Sequence, residues 1–165
     1  MNITILGTGN MAKGLASVFA AGGYDVTLGS RDADRAKETA KALGARVKGD
    51  GLAAAANKSD VVVLAVPFDA AAETIAAAGG LAGKILVDIS NPLTPDYMGL
   101  TVGHSTSAAE EIQKLAPQAK VVKAFNTVFA SVLQGGGKIG KSAVTVFVAG
   151  DDEAARGQGR EERAV

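Results

Sequence analysis

Ile3-Thr4-Ile5-Leu6-Gly7-Thr8-Gly9-Asn10-Met11-Ala12 is the stretch of this sequence that decides the fold. A short apolar strand, rich in isoleucine, runs into a turn of pattern G-x-G-x-x-A and then into a predicted helix over 11–21. The first glycine of such a turn permits its tight bend, the second leaves room for a diphosphate, and the small third residue lets helix and strand approach closely. The free N–H groups and partial positive charge of the helix start favour an anion.

We therefore predict that this turn binds the diphosphate of a dinucleotide through Gly7, Thr8, Gly9, Asn10, Met11 and Ala12. The turn lacks the Gly-Lys-Ser/Thr sequence of a nucleoside triphosphate-binding loop. The simpler alternative is a glycine-rich turn without a ligand. The strand before it, the helix after it and a second strand at the expected distance favour the dinucleotide.

Short strand-like runs alternate with alanine-rich helical stretches along the rest of the chain. Strands are expected at 25–28, 46–48, 60–66, 84–89, 120–125 and 143–149, and helices at 32–43, 52–57, 70–78 and within 105–115. The run from Asp60 to Val66 is apolar after its first residue, which is typical of a parallel strand covered on both faces. The alternation predicts a single α/β domain over 1–150, a doubly wound parallel sheet of the Rossmann type.

Composition excludes several classes of function. The chain has 165 residues, with 17 Lys plus Arg and 17 Asp plus Glu, so no basic field favours nucleic acid or anionic lipid. Without cysteine there is no disulfide, thiolate metal site or Cys nucleophile. We expect no metal site. The absence of a signal-like N-terminus or a long apolar run leads us to expect a cytoplasmic protein.

The end of the second strand indicates which dinucleotide is bound. NAD-binding chains usually place an acidic residue there for the ribose hydroxyls. Here Gly29 or Ser30 occupies that position, Arg31 follows, and Arg35 lies four residues further on. A hydroxyl and two guanidinium groups suit a 2′-phosphate, so Ser30, Arg31 and Arg35 predict NADP(H). The alternative is that Ser30 or Asp32 caps the next helix while both arginines are solvated.

Other polar residues follow the later strands. Ser90, Asn91 and Pro92 come after the strand at 84–89 and are expected to border the nicotinamide pocket. Asp88 is either part of that pocket or, as we expect, a cap of the following turn. His104, the single histidine, is more typical of a surface turn than of a proton donor. Hydride exchange between two bound carriers needs orientation rather than a nucleophile, so no catalytic side chain is predicted.

Together, the segments Gly7 to Gly14, Gly29 to Arg31, Val63 to Pro67, Val121 to Thr127 and Val148 to Asp152 resemble the F420-dependent NADP oxidoreductase family. The resemblance runs over roughly residues 1–153. The cytosolic NADPH-binding domains of membrane metalloreductases share much of the pattern, including Phe-Asn-Thr.

The resemblance implies hydride exchange between NADP(H) and the deazaflavin F420, and a homodimer. It places the diphosphate on Thr8 to Met11 and the 2′-phosphate on Ser30, Arg31 and Arg35. It also implies that cofactor contacts follow two further strands, at Ala65, Val66 and Pro67, and, beside the nicotinamide, at Asn126, Thr127, Val128 and Ala130.

Two features depart from the family. The archaeal enzymes have His-Thr-Ile-Pro where this chain has Asn126 to Phe129, and the family continues for roughly another quarter of its length beyond Asp152. Two alternatives therefore stay open. One is an NADPH-dependent reductase of a flavin, ferric chelate or imine, and the other is an NADP(H)-binding module without a second substrate site.

The last fifteen residues, 151–165, differ from the rest. Eight of them are charged, and Gly157 and Gly159 interrupt any helix. Beyond Ala155, the apolar spacing of a helix that covers a sheet is missing. The expectation is a disordered or truncated tail, and the alternative is a solvated, charged terminal helix.

Overall fold

The computed structural model describes the backbone of residues 1–161 and the side chains of residues 1–158, and the chain folds there into one seven-stranded sheet with helices on both faces. The strands are β1 (Asn2–Leu6), β2 (Asp25–Ser30), β3 (Val47–Gly51), β4 (Val61–Leu64), β5 (Ile85–Asp88), β6 (Lys120–Ala124) and β9 (Val148–Ala149), and a separate hairpin has β7 (Lys138–Ile139) and β8 (Ser142–Ala143). The helices are α1 (Asn10–Ala21), α2 (Ala33–Leu43), α3 (Leu52–Ala56), α4 (Ala71–Ala77), α5 (Ala108–Leu115), α6 (Ala130–Gln134) and α7 (Glu153–Glu161), with a 3₁₀ turn at Phe68–Ala70.

The strand order is β3-β2-β1-β4-β5-β6-β9, parallel throughout except for the antiparallel edge strand β9. This order confirms the predicted doubly wound Rossmann-type sheet, in which ligands gather at the carboxyl ends of the strands where the order reverses, here between β1 and β4. The register places Leu6 of β1 between Gly29 of β2 and Leu64 of β4.

Each face of the sheet carries its own apolar core, as parallel strands covered on both sides require. Alternate residues of a strand supply opposite faces: Ile3 and Ile5 pack with α1, whereas Leu6 packs with α3 and α4. Phe19 of α1 is fully buried and meets Phe125 edge to face, with ring centroids 6.1 Å apart. The small residues of the alanine-rich helices allow these layers to pack closely.

The prediction of one continuous strand over 143–149 is wrong for much of that range. Ser142 and Ala143 instead pair with Lys138 and Ile139 in the β7–β8 hairpin, and only β9 joins the sheet. The reason is the turn between the two short strands, where Gly140 adopts φ of +63°, a conformation that favours glycine. This turn folds the segment back on itself before it reaches β6.

In place of the disordered tail expected for 151–165, the structure has helix α7, and residues 162–165 lie outside the described part of the chain. Asp152 begins α7 by accepting a hydrogen bond from the N–H of Ala155 at 2.8 Å, and it pairs with Lys120 of β6 at 3.0 Å. Ala155 is fully buried against β6 and β9. One buried alanine and a cap compensate for the two glycines that reduce helix propensity.

We predict that Ala155→Asp destabilises the protein by about 2 kcal/mol, because a carboxylate placed there is either buried without a partner or forces α7 off the sheet. The neighbouring Ala154 is exposed, so Ala154→Asp is the matched control with little effect. Urea denaturation followed by far-UV circular dichroism measures both free energies of unfolding. Equal values for the two variants would show that α7 does not pack as described.

Candidate functional site

The residues that the sequence singled out lie along one edge of the sheet. Because β1, β2, β4, β5 and β6 are parallel, the segments that follow them emerge at the same, carboxyl edge. The structure therefore brings together five groups of predicted site residues, namely Gly7 to Ala12, Ser30 with Arg31 and Arg35, Ala65 to Pro67, Ser90 to Pro92, and Asn126 to Val128 with Ala130. Their individual roles remain predictions.

Gly7 fixes the turn at the centre of this edge. Its N–H donates to the carbonyl of Gly29 at 2.8 Å, and its φ is +132°. A Cβ on Gly7 would lie 2.3 Å from the carbonyl oxygen of Ala65. The chain leaving β1 is thus held tightly between the ends of β2 and β4, and no side chain fits at this position.

The start of α1 is open by contrast. Gly9 is the N-cap, no side chain caps the helix, and its first turn has no acidic residue. A Cβ on Gly9 would meet no atom within 4 Å, so nothing in the folded protein requires glycine there. Gly9 and Asn10 are exposed, while Ala12 is fully buried where α1 packs on the sheet. An anion can reach the unsatisfied N–H groups of this helix start.

The end of β2 has no acidic side chain facing the edge. Asp32 caps α2, accepting from the N–H groups of Asp34 and Arg35 at 3.0 and 3.1 Å, and Ser30 Oγ accepts from the N–H of Asp32 at 3.2 Å. Of the two residues that could cap this helix, Ser30 and Asp32, Asp32 is therefore the cap of α2. The Ser30 hydroxyl keeps its proton available as a donor.

A nearby acid, Asp50 of β3, lies in register with Gly29 but is already paired. Lys58 Nζ lies 2.7 Å from Asp50 Oδ2, and the N–H of Gly51 donates to Oδ1 at 2.8 Å. Two hydrogen bonds lower the pKa of Asp50, and the one from Lys58 has a larger effect than the one from the N–H of Gly51. Asp50 is thus an ionised acid committed to a lysine partner rather than an open acceptor for ribose hydroxyls.

The two predicted arginines differ in their surroundings. Arg31 Nη1 lies 3.0 and 3.2 Å from the two carboxylate oxygens of Glu73 in α4, and both side chains are mostly exposed. Arg35 is exposed on the first turn of α2 and forms no ion pair with the side chains of residues 1–158. Arg31 is therefore near the predicted phosphate site but engaged with a protein carboxylate.

The segments after β5 and β6 are joined to each other. Asn91 Nδ2 donates to the carbonyl of Asn126 at 2.9 Å, and Asn126 Nδ2 donates to Asn91 Oδ1 at 3.4 Å. The preceding Phe125 is buried yet has a φ of +58°, which is uncommon for a bulky residue and typical of functional turns. This backbone turn directs the Asn126 segment along the edge.

Asp88 and Lys123 form a buried ion pair behind these segments. The two residues are register partners on β5 and β6, and Lys123 Nζ lies 2.7 Å from Asp88 Oδ2. Asp88 Oδ1 accepts from Ser90 N–H and Oγ at 2.8 and 2.7 Å, and Lys123 also donates to the Ser90 carbonyl. Asp88 thus caps the turn, as expected. The sequence analysis did not identify Lys123 as a site residue. Its position as a charged residue inside an apolar strand was the signal that could have indicated a role.

A cleft of about 800 Å³ adjoins Asn91 and Asn126 on the α5 side of the sheet. Its lining includes Lys123, Ala149 of β9 and Glu110 of α5. Hydrogen bonds from Ser107 lower the pKa of Glu110, so this acid is ionised near neutral pH. His104 is exposed in the loop beside the cleft. The cleft is large enough for a second small molecule next to the predicted nicotinamide residues.

Among the side chains of residues 1–158, no cluster of three or more His, Asp or Glu is arranged to hold a metal ion. No helix in that part of the chain combines the length and apolarity needed to cross a membrane.

Comparisons with known proteins agree with this geometry. The family model for NADP oxidoreductases dependent on coenzyme F420 matches residues 2–92. The F420-dependent NADP reductase of Methanothermobacter marburgensis is 33% identical over 148 residues, covering 81% of this chain and 66% of that protein. Metalloreductase STEAP3 of Rattus norvegicus is 34% identical over 144 residues, covering 87% of this chain but 28% of that protein. The chain therefore spans less than two thirds of either relative.

Among solved structures, a protein of Arthrobacter sp. FB24 assigned as an F420-dependent NADP reductase superposes with a TM-score of 0.85. It is 34% identical to this chain, and the match covers 96% of this chain and 78% of that one. The similarity extends over nearly the whole described sheet.

We predict that the two glycines of the first turn respond differently to alanine. Gly7→Ala should lower the free energy of unfolding by about 3 kcal/mol, because the methyl group overlaps the Ala65 carbonyl in a backbone conformation that disfavours alanine. Gly9→Ala should change it by less than about 1 kcal/mol, since its Cβ enters open space. Thermal denaturation of the ligand-free protein compares them, and similar losses in both variants would contradict the described turn.

Proposed function

We propose that this chain, which belongs to the family of coenzyme F420-dependent NADP oxidoreductases, binds NADP(H) along the carboxyl edge of its sheet and exchanges a hydride with a deazaflavin of the F420 type. The F420-dependent reductases among its relatives are NADP enzymes by name. The chain spans only part of these relatives, so its activity and substrates are a proposal: the cofactor is inferred from its own residues, and the deazaflavin is inferred from the family.

The observation that carries the proposal is the contrast between Gly7 and Gly9. Gly7 is required by the protein itself, whereas Gly9 leaves open space in front of an uncapped helix start. A diphosphate in that space would accept hydrogen bonds from the backbone N–H groups at the start of α1. The neighbouring residues Thr8 and Asn10 carry a hydroxyl and an amide that can donate to phosphate oxygens.

Arg31, with Ser30 and Arg35, would bind the 2′-phosphate that distinguishes NADP(H) from NAD(H). Arg35 forms no ion pair within the described chain, and the Arg31 pair with Glu73 is exposed, so both guanidinium groups are accessible to an anion. Asp32 is occupied as a cap and Asp50 is paired with Lys58, so neither competes as an acidic ribose ligand. These features together favour the phosphorylated cofactor.

NADP(H), when bound, supplies or accepts the hydride, and the protein contributes position and exclusion of water. The hydrogen-bonded segments of Asn91 and Asn126 would hold the nicotinamide end, with Val128 buried behind them. The Asp88–Lys123 pair fixes the Ser90 turn, because Asp88 accepts from the Ser90 N–H and Lys123 donates to the Ser90 carbonyl. In the reducing direction, hydride transfer from NADPH would leave NADP⁺ and the acceptor would take one proton from solvent, so no protein nucleophile would be needed.

The acceptor would occupy the cleft beside Asn91 and Asn126. Its position next to the predicted nicotinamide residues allows two carriers to approach at the sheet edge, and its lining combines basic side chains, Lys114 and Lys123, with acidic ones, Glu110 and Asp151. The similarity to a metalloreductase makes ferric chelates and flavins the second class of acceptor to test. NADPH binding without oxidation by F420, FMN or a ferric chelate would favour a binding module instead.

We predict that Arg31→Ala weakens binding of NADPH about 10- to 100-fold, the loss expected for one charge-assisted contact to phosphate, and leaves NADH nearly unchanged. Isothermal titration calorimetry measures both dissociation constants. Arg46 is the control, because this arginine pairs with Asp25 at the opposite, amino edge of the sheet. Equal losses for NADPH and NADH would reject the cofactor assignment.

We also predict that Ala149→Trp raises the KM for the acceptor at least about tenfold without changing the affinity for NADPH, because the indole fills part of the cleft. Ala149 is exposed and lines the cleft, whereas Ala143 of β8 is exposed outside it and provides the control Ala143→Trp. Steady-state kinetics with F420 as acceptor give the result. An unchanged KM would place the acceptor elsewhere.

A further inference from the structure

The ion pair between Arg31 and Glu73 is the feature of the carboxyl edge that the proposed function does not use. One guanidinium nitrogen of Arg31 contacts both carboxylate oxygens of Glu73, at 3.0 and 3.2 Å. The side chain of Arg31 is 73% exposed and that of Glu73 is 65% exposed. Both groups thus keep most of their contact with water, and the pair can open without burying an unpaired charge.

The ion pair lies at a position in the fold where ligand binding is expected. Arg31 follows β2, and Glu73 lies in the first turn of α4, which follows β4. Between these two strands lies β1, so the pair joins the segments on either side of the Gly7 turn. A surface ion pair without a ligand-related role could form anywhere on the protein, but this one spans the crevice where the strand order reverses.

We propose that Glu73 is a specificity-determining residue that competes with the cofactor's 2′-phosphate for Arg31. The inference rests on the proposed function, in which that phosphate binds Arg31. A phosphate dianion offers a stronger, charge-assisted partner than an exposed carboxylate, so Arg31 exchanges Glu73 for phosphate when the cofactor arrives. Glu73 lowers the affinity for the phosphorylated cofactor and leaves the unphosphorylated one unaffected.

Two effects act in the same direction. The exposed pair must open before Arg31 can turn fully to phosphate, which reduces the affinity by up to about fivefold. The released carboxylate then remains near the phosphate as a like charge, an effect that falls as salt is added. NAD(H) lacks the phosphate and leaves the pair intact. Glu73 therefore reduces the preference for NADP(H) over NAD(H) and speeds dissociation of the oxidised or reduced NADP cofactor after the reaction.

The test measures binding to the adenosine half of the cofactor, so it does not depend on activity. The probes are adenosine 2′,5′-bisphosphate and 5′-AMP, titrated calorimetrically into the ligand-free protein at low and high salt. The variants are Glu73→Gln, which keeps the size and removes the charge, Arg31→Ala, and the double variant. Asp69→Asn is the matched control, because Asp69 is an exposed acid one turn before Glu73 and has no ion pair among the side chains of residues 1–158.

We expect Glu73→Gln to bind the bisphosphate about three- to fivefold more tightly at low salt, less so at high salt, with 5′-AMP unchanged. The gain should vanish in the Arg31→Ala background and be absent in Asp69→Asn. Unchanged or weaker binding of the bisphosphate by Glu73→Gln overturns the competition, as does an equal gain for 5′-AMP.

The two proposals fail in different ways. If the unaltered protein does not prefer the bisphosphate, or if Arg31→Ala has no effect on it, the NADP(H) assignment fails and the role of Glu73 with it. If the preference depends on Arg31 but Glu73→Gln changes nothing, only the competition is rejected. Thermal denaturation checks that each variant is folded, which is expected because Glu73 is mostly exposed.

Discussion

The close approach of Gly7 to the ends of two neighbouring strands is the constraint on which the rest of the site depends. Its N–H bonds to Gly29, and its missing side chain admits the carbonyl of Ala65. The chain leaving β1 must therefore turn at once, which starts α1 at the middle of the carboxyl edge. Every other site segment is placed relative to this turn, because the parallel register of β2 and β4 against β1 fixes where those strands end.

Features governed by local requirements could be predicted from the sequence. The alternation of apolar strands with helices gave the sheet and its covered faces, and the G-x-G-x-x-A pattern gave the turn at Gly7 and the packing of Ala12. The same reasoning identified Asp88 as a turn cap, because a carboxylate two residues before Ser90 can accept its N–H. In each case a few neighbouring residues contain the whole physical reason.

Features that depend on partners distant in sequence could not be predicted in this way. Glu73 lies 42 residues from Arg31, and Lys123 lies 35 residues from Asp88, so neither ion pair is visible before the strand order is known. The packing of helix α7 also depends on a partner that is distant in sequence. Its composition predicts disorder, but Asp152 caps it, Lys120 pairs with that cap, and Ala155 finds a buried place beside β6. Local propensity is overridden by contacts made after the sheet has formed.

The two ion pairs at the carboxyl edge show how burial separates a fixed part of the site from an exchangeable one. Asp88 is fully buried and its lysine is 20% exposed, so removing either partner would leave a charge without compensation. This pair can hold the segments after β5 and β6 but cannot change partners. Arg31 and Glu73 make a contact of similar length in water, where separation costs little. A dinucleotide lying across the edge would thus meet a rigid support at its nicotinamide end and a guanidinium free to exchange partners at its adenosine end.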